Sequence, residues 1–587
     1  MLHKEIDRSM PTKQWILAER TTADLLNHLL ELRKIDDVEA FLRPDFRTQL
    51  HDPFLMKDMD KAISRLMRAI NSEEVVGVFA DYDTDGTPGA ALLLDGFQQL
   101  GVSTAVYVPT RGEGYGLSEL GLRRLAAAGA KVIITIDLGI TAKAEADLAR
   151  ELELDLIITD HHTVQADLFP KNAFAVINPK QDDCPYPFKD LCGGGIAWKL
   201  LSALLARLEL TSPQRLRGRN PEAIRRWALD LAAISTVCDM VPLLGENRLL
   251  AHYGLQVLRK TRRPGLQALF EVAGINPVQM SAGTIGFQIG PRINAPTRLA
   301  AESYQTPTGP GPQASLALGL LLTNSQKEAK ELAHQLQDYN VARQEQLEQI
   351  LKEAETRVID EGLMMKKIIL LAQEGWPVGI VGLVAGRLME RFGRPAIVLG
   401  ITGQEATGSA RSVDGFPLVE ALAVARKYLK RFGGHTKAAG LTVEVEHVQT
   451  LYDQLLAYAE TKLDAHKLGP RLYIDAFLES NDISLETVSG LEQLGPHGIG
   501  NPRPLFAVRD LEILEVRSLG QAGQHRKLRF RKKDGDLDLN AIAFSWRGNP
   551  QMLVIGNRLD VAGYLAKNTW NGQTSLQLEV VDVRLAR

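Results

Sequence analysis

Cysteine is scarce in this chain: Cys184, Cys192 and Cys238 are three residues in 587, and no C-x-x-C pair occurs. Neither a disulfide framework nor a thiolate-held structural zinc is suggested, and each cysteine reads as a small buried residue. Long uncharged apolar runs are missing, as is a signal-peptide pattern at Met1-Leu2-His3-Lys4-Glu5. The expectation is a chain with no membrane association, located in the cytoplasm. Net positive charge is lacking too: at −3 the protein is not coated with cations, so any nucleic-acid binding must rest on local basic surfaces. No G-x-x-x-x-G-K-[ST] string is present, which removes a P-loop motor. What is there, 45% hydrophobic and 24% charged residues with 50 glycines, is the composition of a folded protein. Its length predicts about three or four domains.

The most informative stretch is Val75-Val76-Gly77-Val78-Phe79-Ala80-Asp81-Tyr82-Asp83-Thr84-Asp85-Gly86, an apolar run that empties into three alternate carboxylates. On an extended segment these would share one face and repel one another, and a bound divalent cation relieves that repulsion. An EF-hand loop is excluded, because its twelfth position would be Leu92 and a strand precedes it. A plain strand-to-helix turn ending at Asp85-Gly86 is the competing reading.

Strands and helices alternate through the first third. Strands are predicted over 75–80, 104–108, 132–136 and 154–159, and helices over 90–100, 119–128 and 141–151, which implies a parallel sheet covered on both faces. Ligands of such sheets bind beyond the carboxyl ends of the strands. There the sequence places Asp81, Asp83 and Asp85, then Asp137, then Asp160-His161-His162; Asp239 follows a further strand or helix over 232–238. Each alone could be a cap or turn residue, but several acids at equivalent strand ends point to a shared site.

These motifs, taken in order, resemble those of the DHH/DHHA1 phosphoesterases, and within them the RecJ-type single-stranded-DNA exonucleases. The resemblance rests on Asp81-Tyr82-Asp83-Thr84-Asp85-Gly86, Asp137, Asp160-His161-His162 and Asp239-Met240-Val241-Pro242-Leu243. It extends through Arg111 with Gly114-Tyr115-Gly116, Gly193-Gly194-Gly195-Ile196-Ala197 and Gly290-Pro291-Arg292-Ile293-Asn294-Ala295. Further on come Gly408-Ser409-Ala410-Arg411-Ser412, Phe432-Gly433-Gly434-His435-Thr436-Lys437-Ala438-Ala439-Gly440 and Gly498-Ile499-Gly500-Asn501-Pro502. Two departures stand out: Pro377 follows Trp376 where the family often has histidine, and Ala295-Pro296-Thr297-Arg298 replaces Ala-Gly-Arg.

The resemblance implies an α/β protein: a DHH domain with a parallel sheet, a long helix linking it to a DHHA1 α/β domain, and a C-terminal β-rich OB-fold. The expected boundaries are 1–50 for a helical lead-in, 51–320 for the DHH domain, 321–360 for the connecting helix, 361–466 for the DHHA1 domain and 467–587 for the OB-fold. It implies two ions, Mn²⁺ or Mg²⁺, with Asp83 and Asp85 each favouring one, Asp137 bridging, and His161 and Asp239 completing the ligands of the second ion. His162 is assigned to the scissile phosphate or leaving group, and Asp160 to orienting an imidazole. Asp81 stands between ligand and supporting residue. Substrate contacts are expected from Arg111, Arg292, Asn294 and Arg298 near a cleft between domains, and from Ser409, Arg411, Gly434 and His435 of the second domain.

The implied activity is 5′-to-3′ hydrolysis of single-stranded DNA to 5′-mononucleotides in DNA repair and recombination. A monomer is expected, with a single-strand-binding protein and a helicase as candidate partners. The alternatives are a DHH phosphodiesterase of short oligonucleotides or cyclic dinucleotides, and a catalytically silent scaffold in a replication complex. Within the OB-like segment, alternation puts Lys527, Arg529, Arg531 and Lys533 on one strand face and Leu528 and Phe530 on the other. That basic face fits strand tracking, with Phe530, Phe544 and Trp546 as stacking candidates; a solvated edge strand is the plainer reading. A helix over 419–431 capped by Gly433-Gly434 and a flexible Pro/Gly loop over 305–313 complete the expectations.

Overall fold

A computed structural model describes residues 12–299, 315–464, 468–520, 523–532, 537–546, 548–570 and 572–586. The Pro/Gly loop at 305–313 and Lys533 lie outside the described residues. The chain divides into two compact units, residues 39–344 with 496–502, and residues 1–38 with 345–495 and 503–587.

The first unit is built on five parallel strands in the spatial order Thr104–Tyr107, Val75–Ala80, Ala130–Ile136, Asp155–Thr159, Ala175–Ile177. Their apolar runs are buried on both faces, as parallel strands between helices require. The sheet order in chain terms is 2-1-3-4-5, so the direction of winding reverses between Val75–Ala80 and Ala130–Ile136. That switch point leaves a crevice at the carboxyl ends of these two strands. Helices Gly86–Leu100, Gly193–Thr211 and Leu229–Cys238 pack with the sheet into one large apolar core. The segment 232–238, open between strand and helix from its sequence, is helical because it is buried all round within a helical layer.

The second unit contains a mixed five-stranded sheet in the order Leu429–Gly434, Ala438–Glu444, Glu405–Arg411, Ala396–Thr402, Ile369–Glu374, with helices Val378–Phe392 and Val448–Lys462. Pro377 immediately precedes the helix Val378–Phe392. Five further strands, Phe506–Leu519, His525–Lys532, Asp538–Ala543, Gln573–Leu585 and Arg558–Trp570, close into a barrel because the first also pairs with the last. Along His525–Lys532 the alternation holds: Leu528 and Phe530 are buried while Lys527, Arg529 and Arg531 are exposed. Phe530 is therefore a core residue, whereas Phe544 is 59% exposed.

Two expectations need correction. The helix over 419–431 stops at Val424, and Leu429–Gly434 is a strand, so Gly433-Gly434 is no helix cap. Gly434 sits at φ +147, where a Cβ would run into the Ala438 carbonyl. The lead-in over 1–50 is not wholly helical: Gln14–Leu17 is a strand pairing in parallel with Arg471–Ile474, followed by helices Leu25–Leu32 and Val38–Leu42. The long helix is present as Gln326–Asp360; its residues up to 344 belong to the first unit and the remainder to the second.

Candidate metal centre

The sheet ladder carries each strand one residue past its apolar run. Asp81 N donates to Ile136 O, Asp137 N to Thr159 O and Asp160 N to Ile177 O, each at 3.1 Å. These bonds fix three acids at the carboxyl edge, two of them flanking the switch point. Beyond Asp81 the chain does not stay extended. Asp83 Oδ1 accepts from the backbone N–H of Asp85 at 2.8 Å and of Gly86 at 3.1 Å, closing a turn. Gly86 lies so close to Asp81 that a Cβ there would sit 2.5 Å from the Asp81 carbonyl oxygen. The turn reading and the metal reading thus describe the same residues.

Three groups converge. Asp81, Asp83 and Asp137 each offer one oxygen within 4.8 Å of the others, as do the donor atoms of Asp85, His161 and Asp239, and of Asp137, His161 and His162. His161 Nε2 joins the groups, lying 3.1 Å from Asp137 Oδ1 and 3.7 Å from both Asp85 Oδ2 and Asp239 Oδ2. Asp81 Oδ1, Asp137 Oδ1, Asp239 Oδ2 and both His161 nitrogens are buried without a hydrogen bond. Orphaned donors and acceptors in such density are costly unless something else satisfies them. Burial first, and then neighbouring carboxylates, push Asp81, Asp137 and Asp239 well above the usual carboxylate range. Burial pulls His161 down to about 4, leaving the neutral imidazole that a cation binds. Hard oxygens with one imidazole suit Mn²⁺ or Mg²⁺, so the residues present fit the expected ions. Asp81 faces the same space as Asp83 and Asp137.

A test follows from linkage. Acids whose folded pKa is raised stabilise the fold while protonated, and that contribution is lost as pH rises from about 4, the unfolded carboxylate value, through the folded values. Metal-free protein is therefore expected to melt at lower temperature as pH rises through and above the carboxylate range, and the gain in Tm on adding Mn²⁺ is expected to grow with pH. A Mn²⁺ gain that is flat or falling between about pH 5 and 8 in a thermal-shift series contradicts a shared acid site.

The Asp85 carboxylate has a second task that sequence reasoning missed. Its oxygens accept from Gly193 N at 2.6 Å and Gly194 N at 2.7 Å, at the first turn of helix Gly193–Thr211. Helix N-termini favour such an anion. Side chains would prevent the approach: a Cβ on Gly193 would lie 2.5 Å from Asp137 Cβ, and one on Gly194 would fall on Ser235 Oγ. Ser235 Oγ in turn donates to Asp85 O at 3.0 Å. The run of three glycines at a helix start was the available signal.

His161 and His162 do not point apart: their rings lie 4.5 Å centroid to centroid, and both offer a nitrogen to the same donor group with Asp137. His162 Nδ1 lies 2.7 Å from Asp160 Oδ1, and Asp160 also accepts from Ile140 N at 2.8 Å. Burial opposes the charge of both, but their mutual hydrogen bond wins, holding Asp160 below and His162 above their ordinary values. Tyr115 OH donates to Asp137 O at 3.2 Å and lies 3.2 Å from His162 Nδ1. Asn178 Nδ2 donates to His162 O at 2.9 Å. None of these three contacts was anticipated.

Of the expected substrate residues, the Arg111 guanidinium lies over the Tyr82 ring, 5.0 Å from its centroid, beside the acids. Arg292 has no carboxylate partner among the described residues; Nε donates to Gln337 Oε1 at 2.8 Å and Nη1 to Gln288 O at 2.6 Å. Arg292 and Asn294 share the helix Gly290–Arg298, which Arg298 ends. Ser409, Arg411, Gly434 and His435 belong to the other unit. Ser409 and Arg411 alternate on one strand over Gly382, and His435 N donates to Ala438 O at 2.7 Å, opposite Arg411 in the sheet.

Known proteins give this geometry a context. Family models match at residues 75–236 (DHH family, N-terminal domain), 364–461 (DHHA1 domain) and 474–582 (RecJ OB domain). The single-stranded-DNA-specific exonuclease RecJ of Bacillus subtilis is 37% identical over 99% of this chain and 71% of its own length. RecJ of Escherichia coli is 33% identical over 90% of each. Among solved structures, RecJ of Thermus thermophilus in complex with Mn²⁺ matches with a TM-score of 0.76 and 28% identity, covering 98% of this chain and 80% of that one. With the acids, the histidine pair and all three domain types in order, the chain belongs to the RecJ family of single-stranded-DNA-specific exonucleases.

Proposed function

We propose that this chain hydrolyses single-stranded DNA from its 5′ end, releasing 5′-mononucleotides. The observation that carries this reading is the convergence of two donor triads, Asp81/Asp83/Asp137 and Asp85/His161/Asp239, at the switch point of a parallel sheet. Two divalent cations, Mn²⁺ or Mg²⁺, when bound supply neutralising charge at the phosphate and a nucleophilic hydroxide at neutral pH. Asp137, which belongs to one triad and contacts His161 of the other, would hold both cations when they are bound. His162, whose affinity for a proton the Asp160 hydrogen bond raises, meets the scissile phosphate and would offer a proton to the leaving oxygen. Arg111, Arg292, Asn294 and Arg298 hold strand phosphates, as do Ser409, Arg411, Gly434 and His435. The basic strand Lys527–Arg531 on the closed barrel carries single strands by charge.

The domains are taken as 1–50, 51–320, 321–360, 361–466 and 467–587, with the N-terminal strand as an amendment to the first. No described helix is long and apolar enough to cross a membrane. A cytoplasmic monomer acting with a single-strand-binding protein and a helicase suits this reading. A barrel with a basic face is superfluous for short oligonucleotides or cyclic dinucleotides, and the complete acid set is superfluous in a silent scaffold.

The test is an end-label assay. With Mn²⁺, 5′-labelled single-stranded DNA releases labelled mononucleotide at once, whereas a 3′ label is released last; EDTA stops both. His162→Ala is expected to lower kcat by about 10²–10³-fold while leaving Mn²⁺ binding intact. Early release of the 3′ label would reverse the polarity, and release in EDTA would remove the metal mechanism.

A further inference from the structure

Residues 496–502 lie more than a hundred residues beyond the rest of the parallel-sheet unit in sequence, yet they are part of it. The segment Pro496-His497-Gly498-Ile499-Gly500-Asn501-Pro502 folds on itself. Gly498 and Asn501 exchange both backbone hydrogen bonds, at 2.9 and 3.1 Å, and the fully buried Asn501 donates from Nδ2 to Pro496 O at 2.9 Å. The closed loop then grips the turn that follows Asp239. Leu243 N donates to Ile499 O at 2.7 Å. Gly498 is so near Leu243 that a Cβ would lie 2.7 Å from its Cδ1, and Gly500, at φ +73, sits against Pro242 and Leu244.

The gripped turn needs an anchor. Asp239 is the residue at which helix Leu229–Cys238 ends, and Met240 immediately after it takes the left-handed φ of +64 while 64% exposed. A non-glycine residue adopts that conformation only where its surroundings hold it. The chain re-enters the core at Leu243, packed with Ala251 and Ala282, and Asn247 Nδ2 donates to Pro242 O at 3.1 Å. Asp239 therefore hangs between a helix end on one side and the Leu243–Ile499 bond on the other.

We propose that residues 496–502 are a positioning element of the metal centre, setting the Asp239 carboxylate towards His161 by fixing the turn 240–243. This rests on Asp239 being a ligand, as read above. Direct Mn²⁺ titration of the full-length protein, followed by the paramagnetic resonance of free Mn²⁺, separates the two ideas. Wild type is expected to bind two ions, and Asp239→Asn to lose one. Gly498→Val and the milder Asn501→Ala are expected to weaken the ion at the Asp239 site about tenfold and leave the other unchanged, as changes behind a ligand do. Excess Mn²⁺ should then restore kcat, with KM for single-stranded DNA unaltered.

If Asp239→Asn binds as many ions as wild type, the ligand assignment fails and this proposal with it. If Asp239→Asn loses an ion but either loop variant, folded by its thermal melt, binds both ions like wild type, the positioning role alone is overturned. Equal weakening of both ions also overturns it, because a merely structural loop would loosen the whole unit. Should Gly498→Val not fold, Asn501→Ala decides.

Discussion

Asp137→Asn is expected to slow nucleotide release by about four orders of magnitude and, in metal-free protein, to raise the melting temperature. The first effect follows from the place of this carboxylate, which shares one donor group with Asp81 and Asp83 and another with His161 and His162. Removing its charge weakens the hold on both cations, and losing several kcal/mol of transition-state stabilisation amounts to about 10⁴-fold in rate. The second effect has the opposite sign because, with no cation bound, burial and then the neighbouring acids Asp85, Asp83, Asp81 and Asp239 all penalise the charged form. Asparagine keeps the size and tolerates the φ of +65 at this position, so the backbone is not disturbed. A neutral amide should stabilise the metal-free fold by about 1 kcal/mol, or roughly 2–4 °C in a unit of this size. More than a tenth of wild-type activity, or a lower metal-free Tm, would sink the assignment. Differential scanning calorimetry in EDTA beside the end-label assay reads both.

Gly194→Ala is expected to be damaging through a single added methyl group. The new Cβ would fall on Ser235 Oγ and lie 3.3 Å from Asp85 Oδ1. Ser235 is fully buried on helix Leu229–Cys238, and it has nowhere to retreat. Either that helix shifts, carrying Asp239 at its end, or Gly193–Thr211 recedes and its N-terminal N–H groups release Asp85. Overpacking of this kind costs about 1–3 kcal/mol of stability. Displacing ligands is expected to reduce kcat by roughly 100-fold or more, since misplacements near about 1 Å already have such effects. A crystal structure or nuclear-resonance spectrum showing an undisturbed site with full activity would mean that the glycine run is not what holds Asp85.

What could be read from the sequence follows the range of the forces involved. The parallel sheet was legible because unbroken runs such as Val132–Ile136 announce burial on both faces, and acids at three strand ends needed only the rule that such ends line a crevice. The grip of Gly193 and Gly194 on Asp85 was not legible, since it joins residues 108 and 109 positions apart and depends on how closely two helices pack. Gly433-Gly434 was misread for the same reason. Two glycines after an amphipathic stretch satisfy a local rule for a helix end, but pairing with Ala439 and Gly440 made them a strand. The amide and carbonyl partners of Arg292, Gln337 and Gln288, emerged only with the fold.

The short strand Gln14–Leu17 bears on how the protein is made. Its pairing partner, Arg471–Ile474, is synthesised roughly 450 residues later, a delay on the order of half a minute to a minute and a half at ordinary elongation rates. During that time residues 39–344 of the parallel-sheet unit can begin to fold, while Trp15 and Ile16 wait as an unpaired edge. Such an edge invites pairing with a neighbouring nascent chain. The price of tying the start of the chain to its last third is a window of exposure during translation, which a holding chaperone or a slow encounter rate must cover.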